Sequence, residues 1–126
     1  MSREIYSLIL LLFLIAASSL NIMMVERLCD KMLVFIDSAE ICAENGNWPE
    51  AEDSVSKALE LWYKAKPYTH IFIRHSETDI CTDAYYELLE TLAEKNSDNI
   101  KPVFSKLHYH IRNIADMEKF RLGNIL

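Results

Sequence analysis

The most polar cluster in the sequence is the run His75-Ser76-Glu77-Thr78-Asp79. His75 and Asp79 are four residues apart, so on a helix an imidazole and a carboxylate would project from one face, as two ligands of a metal site can. A third ligand would have to come from elsewhere in the chain, and His108 and His110 are the candidates. Because these two histidines are only two residues apart, they would lie on different faces of a helix and would not chelate a metal as a pair.

The same run has a simpler interpretation as the start of a helix or a bend in one. Serine, threonine and acidic side chains are the types that cap backbone amides at such places. Capping is the favoured interpretation. A metal- or small-ligand-binding sensor that uses His75, Glu77 and Asp79 is the alternative.

Nothing else in the sequence resembles a catalytic assembly. It contains no glycine-rich phosphate loop, no nucleophile elbow and no HExxH pair, and its carboxylates follow the outward faces of predicted helices. The sequence therefore predicts a protein that is not an enzyme and has no cofactor. A net charge of −6 without a dense Lys/Arg face also excludes nucleic acid as a partner.

The three cysteines are an odd number and show no CxxC spacing. Cys29 and Cys42 lie on one predicted helix, about 20 Å apart along its axis, which is too far for a disulfide. A bond between Cys42 and Cys81 is conceivable once the helices pack. The default expectation is buried free thiols that act as small apolar side chains.

The elements that hold these residues begin with an apolar N-terminal segment. The 21 residues from Ile5 to Val25 carry no charge, and as a helix they would cover roughly 30 Å, the thickness of the hydrocarbon core of a bilayer. We expect residues 1–25 to be a transmembrane anchor that contacts lipid through residues 5–25, and residues 26–126 to be a separate domain. A cleaved signal peptide with small residues at Ala16-Ala17-Ser18 is the rival interpretation, although the apolar run continues past that point.

The charges that flank the segment indicate its orientation. The terminal amine and Arg3 outweigh Glu4, whereas Glu26 and the charges that follow it cancel. The positive-inside rule then favours a single-pass protein of the cell membrane with an extracytoplasmic domain.

The domain is predicted to be an antiparallel bundle of three to four helices, so the fold class is all-α. Apolar residues recur at three- and four-residue spacings from Leu28 to Ala43, from Ala51 to Ala65, from Ile80 to Leu92 and from Ile100 to Ile114. Tyr68 to Ile73 could pass for a strand, but we interpret residues 69–95 as helix, with an irregularity between His75 and Asp79. Asp116 is expected to cap a short final turn.

The core is expected to form between these stripes. Trp62 lies on the buried stripe of the second extramembrane helix, and Phe104 and Leu107 lie on that of the last. Of the pair Tyr85-Tyr86, one side chain should face the core and the other should flank it. Residues 97–126 hold five basic and three acidic side chains, whereas the preceding segments are acidic, so Lys106 and Arg112 should meet acidic neighbours.

Two resemblances add to this interpretation. The turn Gly46-Asn47-Trp48-Pro49-Glu50-Ala51 resembles that of a tetratricopeptide helix pair, but the sequence contains no second copy, so it indicates one helical hairpin. Over nearly its whole length the chain resembles a family of short, single-span, membrane-anchored proteins of Gram-positive spore-forming bacteria, labelled as a domain of unknown function. The similarity is carried by the N-terminal span, the Asn47 to Ala51 turn, Trp62, the stretch Ile73 to Asp79 and the closing Asn124-Ile125-Leu126.

This second resemblance implies an extracytoplasmic helical bundle with a non-enzymatic membrane role, and it assigns no binding residues. By analogy with such families, we expect an interaction module that binds another membrane or envelope protein.

Overall fold

The computed structural model of the chain describes residues 2–67 and 75–125, and for residues 75, 121, 122, 124 and 125 it describes the backbone alone. Over those ranges the chain forms helices and no strand, which confirms the all-α prediction. The strand-like stretch from Tyr68 to Ile73 lies outside the described residues. The helices are α1 (Ser2–Glu44), α2 (Trp48–Lys64), α3 (His75–Ala93) and α4 (Ile100–Ile125).

Helix α1 is 43 residues long and is not interrupted by glycine or proline. From Ile5 to Leu14 every large apolar side chain exposes more than half of its surface. From Val25 onward the same helix contributes buried side chains to the bundle, among them Cys29 and Met32. Among the described residues, α1 is the one helix that is long and apolar enough to cross a membrane.

The turns that end α1 and α3 share one backbone geometry. Gly46 has φ +78°, and the amides of Gly46 and Asn47 donate to the carbonyls of Ala43 and Cys42, which is the Schellman pattern that favours glycine. The end of α3 repeats the pattern with Lys95 at φ 55°. Glycine suits a left-handed position, whereas lysine is uncommon in one, so the residue type at position 95 does not indicate the second turn.

Each helix packs against two others, so that α1 contacts α2 and α4, and α3 contacts the same two. Helices α1 and α4 are antiparallel, because Glu26 pairs with Lys119 whereas Asp37, further along α1, faces His108, which comes earlier in α4. Lys106 on α4 forms an ion pair with Glu87 on α3. The expected complementarity between the basic last segment and its acidic neighbours is therefore present.

The core lies between the four helices and contains Trp62, Phe104 and Leu107, as predicted. Tyr85 faces it and Tyr86 is half exposed at its edge. The core residues with no exposed surface are Val25, Met32, Ile36, Ala39, Ala51, Val55, Ala58, Cys81, Tyr85, Leu88, Leu92, Leu107 and Ile111.

Three local predictions were wrong. Ile80 was assigned to the buried stripe of α3 but is 47% exposed, because the helix turns Cys81 inward instead; Ala84, Leu88 and Leu92 of the same stripe are buried as predicted. The irregularity expected between His75 and Asp79 is absent, since α3 is continuous from His75. Asp116 does not cap a final turn. It is an exposed residue inside α4, and its weak helix propensity is outweighed by the packing of its neighbours.

Candidate functional site

The first turns of α3 lie beside the middle of α4, and a cavity of about 250 Å³ opens between them. Periodicity explains which side chains line it. Glu77 and Ile80 are three residues apart on α3. On α4, Asn113 lies four residues after Tyr109 and three after His110, so these side chains are neighbours on the helix surface. The complete lining is Glu77, Ile80, Tyr109, His110, Asn113 and Ile114.

The structure brings together part of the polar constellation that the sequence predicted. Glu77 and His110 line the same cavity. Asp79 is exposed and does not line it, because two residues along a helix correspond to a rotation of about 200°. The side chain of His75 lies outside the described residues. His108 is on another side of α4, where its Nε2 lies 3.7 Å from Asp37 Oδ1.

No three histidine, cysteine, aspartate or glutamate side chains that could hold a metal ion come together within residues 2–67 and 76–120. Glu77 and His110 are therefore at most two ligands of a site that needs another. The metal site predicted from His75 and Asp79, with a third ligand from His108 or His110, stays a prediction.

The electrostatics of the cavity follow from burial. Desolvation, followed by the charge of Lys106, lowers the pKa of His110 below its ordinary value of 6.5, so the imidazole is neutral at pH 7. Its ring packs edge-on against Tyr109 with centroids 5.4 Å apart. A neutral imidazole can donate one hydrogen bond and accept another, and Glu77 adds an acceptor.

The mouth of the cavity is apolar. Tyr109 is 64% exposed and Ile80 is about half exposed, and both border the opening. An exposed apolar surface with a few polar groups beside it suits the side chain of a protein partner. Tyr109 was not among the site residues predicted from the sequence. The available signal was an aromatic residue outside the buried stripe of an amphipathic helix.

A second, more open cleft of about 430 Å³ lies between α1 and α4. Tyr109 borders it as well, and three of its other lining residues, Asp37, Glu40 and Arg112, are charged. Desolvation, then the charges of Glu44 and Asp37, raises the pKa of Glu40. Tyr109 thus lies between the apolar mouth of the first cavity and this charged cleft, whose lining is Asp37, Glu40, Ser105, His108, Tyr109 and Arg112.

All three thiols are free, and Cys42 and Cys81 are not bonded. Cys29 and Cys81 are buried, and desolvation raises the pKa of each to about 12. A thiol with such a pKa stays protonated at neutral pH and is a poor nucleophile. Cys29 and Cys81 are core residues, as the sequence led us to expect.

The fold and its cavity define a class: an all-helical bundle headed by a long apolar helix. The chain belongs to the family of the domain of unknown function DUF4363, whose model matches residues 20–125. The match begins one residue before Asn21, whose side chain donates a hydrogen bond to Glu118 on α4. No curated protein and no solved structure matches the chain.

Proposed function

We propose that this chain is a non-enzymatic, membrane-anchored helical module that binds another membrane or envelope protein. The observation that carries the proposal is the continuity of α1. One uninterrupted helix supplies both the exposed apolar segment from Ile5 to Leu14 and the core residues Met32 and Ile36. A bundle joined to a membrane span in this way has no flexible linker and is held at a fixed height.

The height of the bundle above the membrane limits which proteins can reach it. The extramembrane part of α1, residues 26–44, is about 28 Å long, so every surface of the bundle stays within roughly 30 Å of the bilayer. A protein that reaches these surfaces must itself be in the membrane or bound close to it. The face formed by Ile80 and Tyr109 lies within this height, since Tyr109 borders the same cleft as Asp37.

Retention of the anchor is part of the proposal. A signal peptidase cut near Ala16-Ala17-Ser18 would leave the core intact, because buried residues begin at Val25. The uncharged run continues to Val25, which favours a retained span. The intact mass of the protein purified from membranes tests this. A mass that lacks the first 17 or so residues would mean a secreted bundle.

The flanking charges support an extracytoplasmic bundle, as in the envelope of the Gram-positive bacteria that the resemblance implies, whereas the three free thiols count against it. Free cysteines are unusual outside the cytoplasm. Two of the three, Cys29 and Cys81, are shielded from oxidants by burial and by their raised pKa.

Labelling of intact cells tests the orientation. A membrane-impermeant maleimide should modify a Glu60→Cys variant, because Glu60 is on the exposed face of α2. A Ser2→Cys variant, on the other side of the span, and the parent chain are the controls. Labelling at position 2 and not at position 60 would reverse the assignment.

Site-specific crosslinking tests the partner. A photoreactive phenylalanine that replaces Tyr109 should form an adduct with one defined membrane protein in native membranes. The same probe in place of Glu60, which lies on the exposed face of α2, should form no such adduct. A second substitution, Ile80→Asp, should abolish the adduct by charging the apolar rim. Equal adducts at both positions, or an adduct only with a second copy of the chain, would contradict the proposal.

The alternative function, a metal- or small-ligand-binding sensor, is favoured by one observation: Glu77 and His110 line one cavity, and His110 is neutral at pH 7. A neutral imidazole is the form that ligates Zn²⁺. Zn²⁺ at 100 times its dissociation constant should add about 2.7 kcal/mol to stability. The increment should disappear in His110→Ala and persist in His108→Ala, whose side chain is outside the cavity. An equal increment in both variants would reject the site.

A further inference from the structure

The last turns of α4 run back along α1 toward the proposed membrane. Lys119 pairs with Glu26, and Asn21 Nδ2 donates to Glu118 Oε2 at 3.1 Å. Because the two helices are antiparallel, the part of α4 that follows Glu118 lies beside the end of the uncharged run.

The length of that run determines how deep this contact lies. The 16 residues from Ile5 to Leu20 cover about 24 Å as a helix, which is less than the roughly 30 Å of a hydrocarbon core. The remaining depth must come from residues 21–25. Of these residues, Asn21 bonds to Glu118 on α4 and Val25 is buried in the core, so the end of α4 is brought to the boundary between hydrocarbon and headgroups.

A polar contact fits this depth. Asn21 is the one amide side chain in the run from Ile5 to Val25, and its amide donates to Glu118, which is buried against α1. A polar side chain near hydrocarbon is stabilised by such an interhelical hydrogen bond. The pair joins the two helices where the bundle meets the membrane.

On the outward side of the same turns stands Phe120, which is 68% exposed. The buried face of α4 runs through Ile114 and Glu118, and Phe120 is two residues past it, on the opposite side of the helix. Met23 and Met24 on α1 are exposed at the same level. Phenylalanine, tryptophan and leucine are the apolar side chains that interfacial helices bury at the boundary between headgroups and acyl chains.

We infer that Phe120 inserts into the lipid of the bilayer interface, so that the base of the bundle is held in the membrane by α4 as well as by α1. This inference rests on the proposed function, since it needs residues 5–25 to span the bilayer. The occupant is lipid because Phe120 lies next to the span, at the boundary between hydrocarbon and headgroups. The consequence is a bundle that cannot swing about the end of its anchor.

The experiment uses the full chain reconstituted in vesicles of phosphatidylcholine with one quarter phosphatidylglycerol. A photoreactive phenylalanine replaces one residue at a time: Leu12 in the span, Phe120 at the proposed contact, or Tyr109 on α4. Tyr109 is a matched control, since it is also an exposed aromatic residue and lies 11 residues, about 16 Å, further from the membrane. Lipid adducts are counted by mass spectrometry.

We expect lipid adducts at positions 12 and 120 and at least fivefold fewer at position 109. If position 12 forms lipid adducts but position 120 forms no more of them than position 109, the inference is wrong and the membrane span is unaffected. An adduct between position 120 and a second copy of the chain would also overturn the inference. An absence of lipid adducts at position 12 would overturn the span itself, and the inference with it.

Discussion

The indole of Trp62 donates its Nε1–H to Thr82 Oγ1 at 2.9 Å, which joins α2 to α3 from inside the bundle. The Thr82 hydroxyl in turn donates to the carbonyl of Thr78 at 2.8 Å. Trp62 is only 4% exposed, so one side chain provides both a large apolar surface and a hydrogen bond between helices that are distant in sequence.

Trp62→Ala should therefore lower the free energy of unfolding by about 3–5 kcal/mol, through the lost apolar burial and the cavity left behind. Trp62→Phe keeps most of the ring volume and should cost less, about 1–2 kcal/mol, largely from the lost hydrogen bond. Urea melts of a fragment that starts at Leu20 measure both, since Asn21 and Val25 already contact the bundle. Equal losses in the two variants would mean that the hydrogen bond dominates.

Phe104 provides the matching test for α4. It is 1% exposed and belongs to the same core cluster as Trp62, so Phe104→Ala should also cost about 3–5 kcal/mol. Glu60→Ala is the control. Glu60 is exposed and pairs with Lys64 on the same helix, so its loss should change stability by about 0.5 kcal/mol or less. A Phe104→Ala variant that melts like the parent would make α4 a docking arm and not part of the core.

The sequence predicted the four helices because their apolar residues follow the helical period closely. It could not predict which neighbour of a stripe residue turns inward: Ile80 matched the four-residue spacing, but Cys81 is the buried one. Such choices depend on the rotation of α3 against α2 and α4. Glu77 was identified for its chemistry, whereas its meeting with His110 depends on packing between residues 33 positions apart.

The turns that end α1 and α3 differ in how well their left-handed residue, Gly46 or Lys95, suits the backbone. A Cβ at Gly46 would meet no atom within 4 Å, so the cost of Gly46→Ala comes from φ +78° alone and should be about 1 kcal/mol. Lys95 already bears such a cost at φ 55°. Lys95→Gly should raise stability by several tenths of a kcal/mol, less than the full relief because glycine is more flexible when unfolded. Opposite signs for the two substitutions in urea melts are the expected result.

Tyr85 is fully buried, and its hydroxyl has no hydrogen-bond partner among the described residues. A buried polar group without a partner costs about 1–3 kcal/mol of desolvation. Tyr85→Phe should therefore raise the free energy of unfolding by about 1 kcal/mol. Tyr86→Phe is the control, since Tyr86 is half exposed and its hydroxyl contacts that of Tyr63. A loss of stability in Tyr85→Phe would mean that the hydroxyl is bonded in the folded protein.

Glu40 makes stability depend on pH in a defined direction. Its pKa is raised above the ordinary 4.5 by desolvation, then by the charges of Glu44 and Asp37, against the smaller opposing effects of His108 and Lys101. A carboxyl whose pKa is higher in the folded state than in the unfolded state binds its proton more tightly when folded. Its stabilising contribution is fully present below pH 4.5 and is lost as the pH rises through the raised pKa.

Glu40→Gln removes this dependence, because the amide is neutral at every pH. The variant should be more stable than the parent at pH 7, and the difference should shrink toward zero as the pH falls below 4.5. Urea melts at pH 7 and pH 4 measure it, with Glu60→Gln, on the exposed face of α2, expected to stay within about 0.5 kcal/mol of the parent at both. A Glu40→Gln variant less stable than the parent at pH 7 would show that the carboxylate is stabilised by Lys101, Arg112 or His108 across the cleft. The charged cleft would then be a source of stability and not a cost of folding.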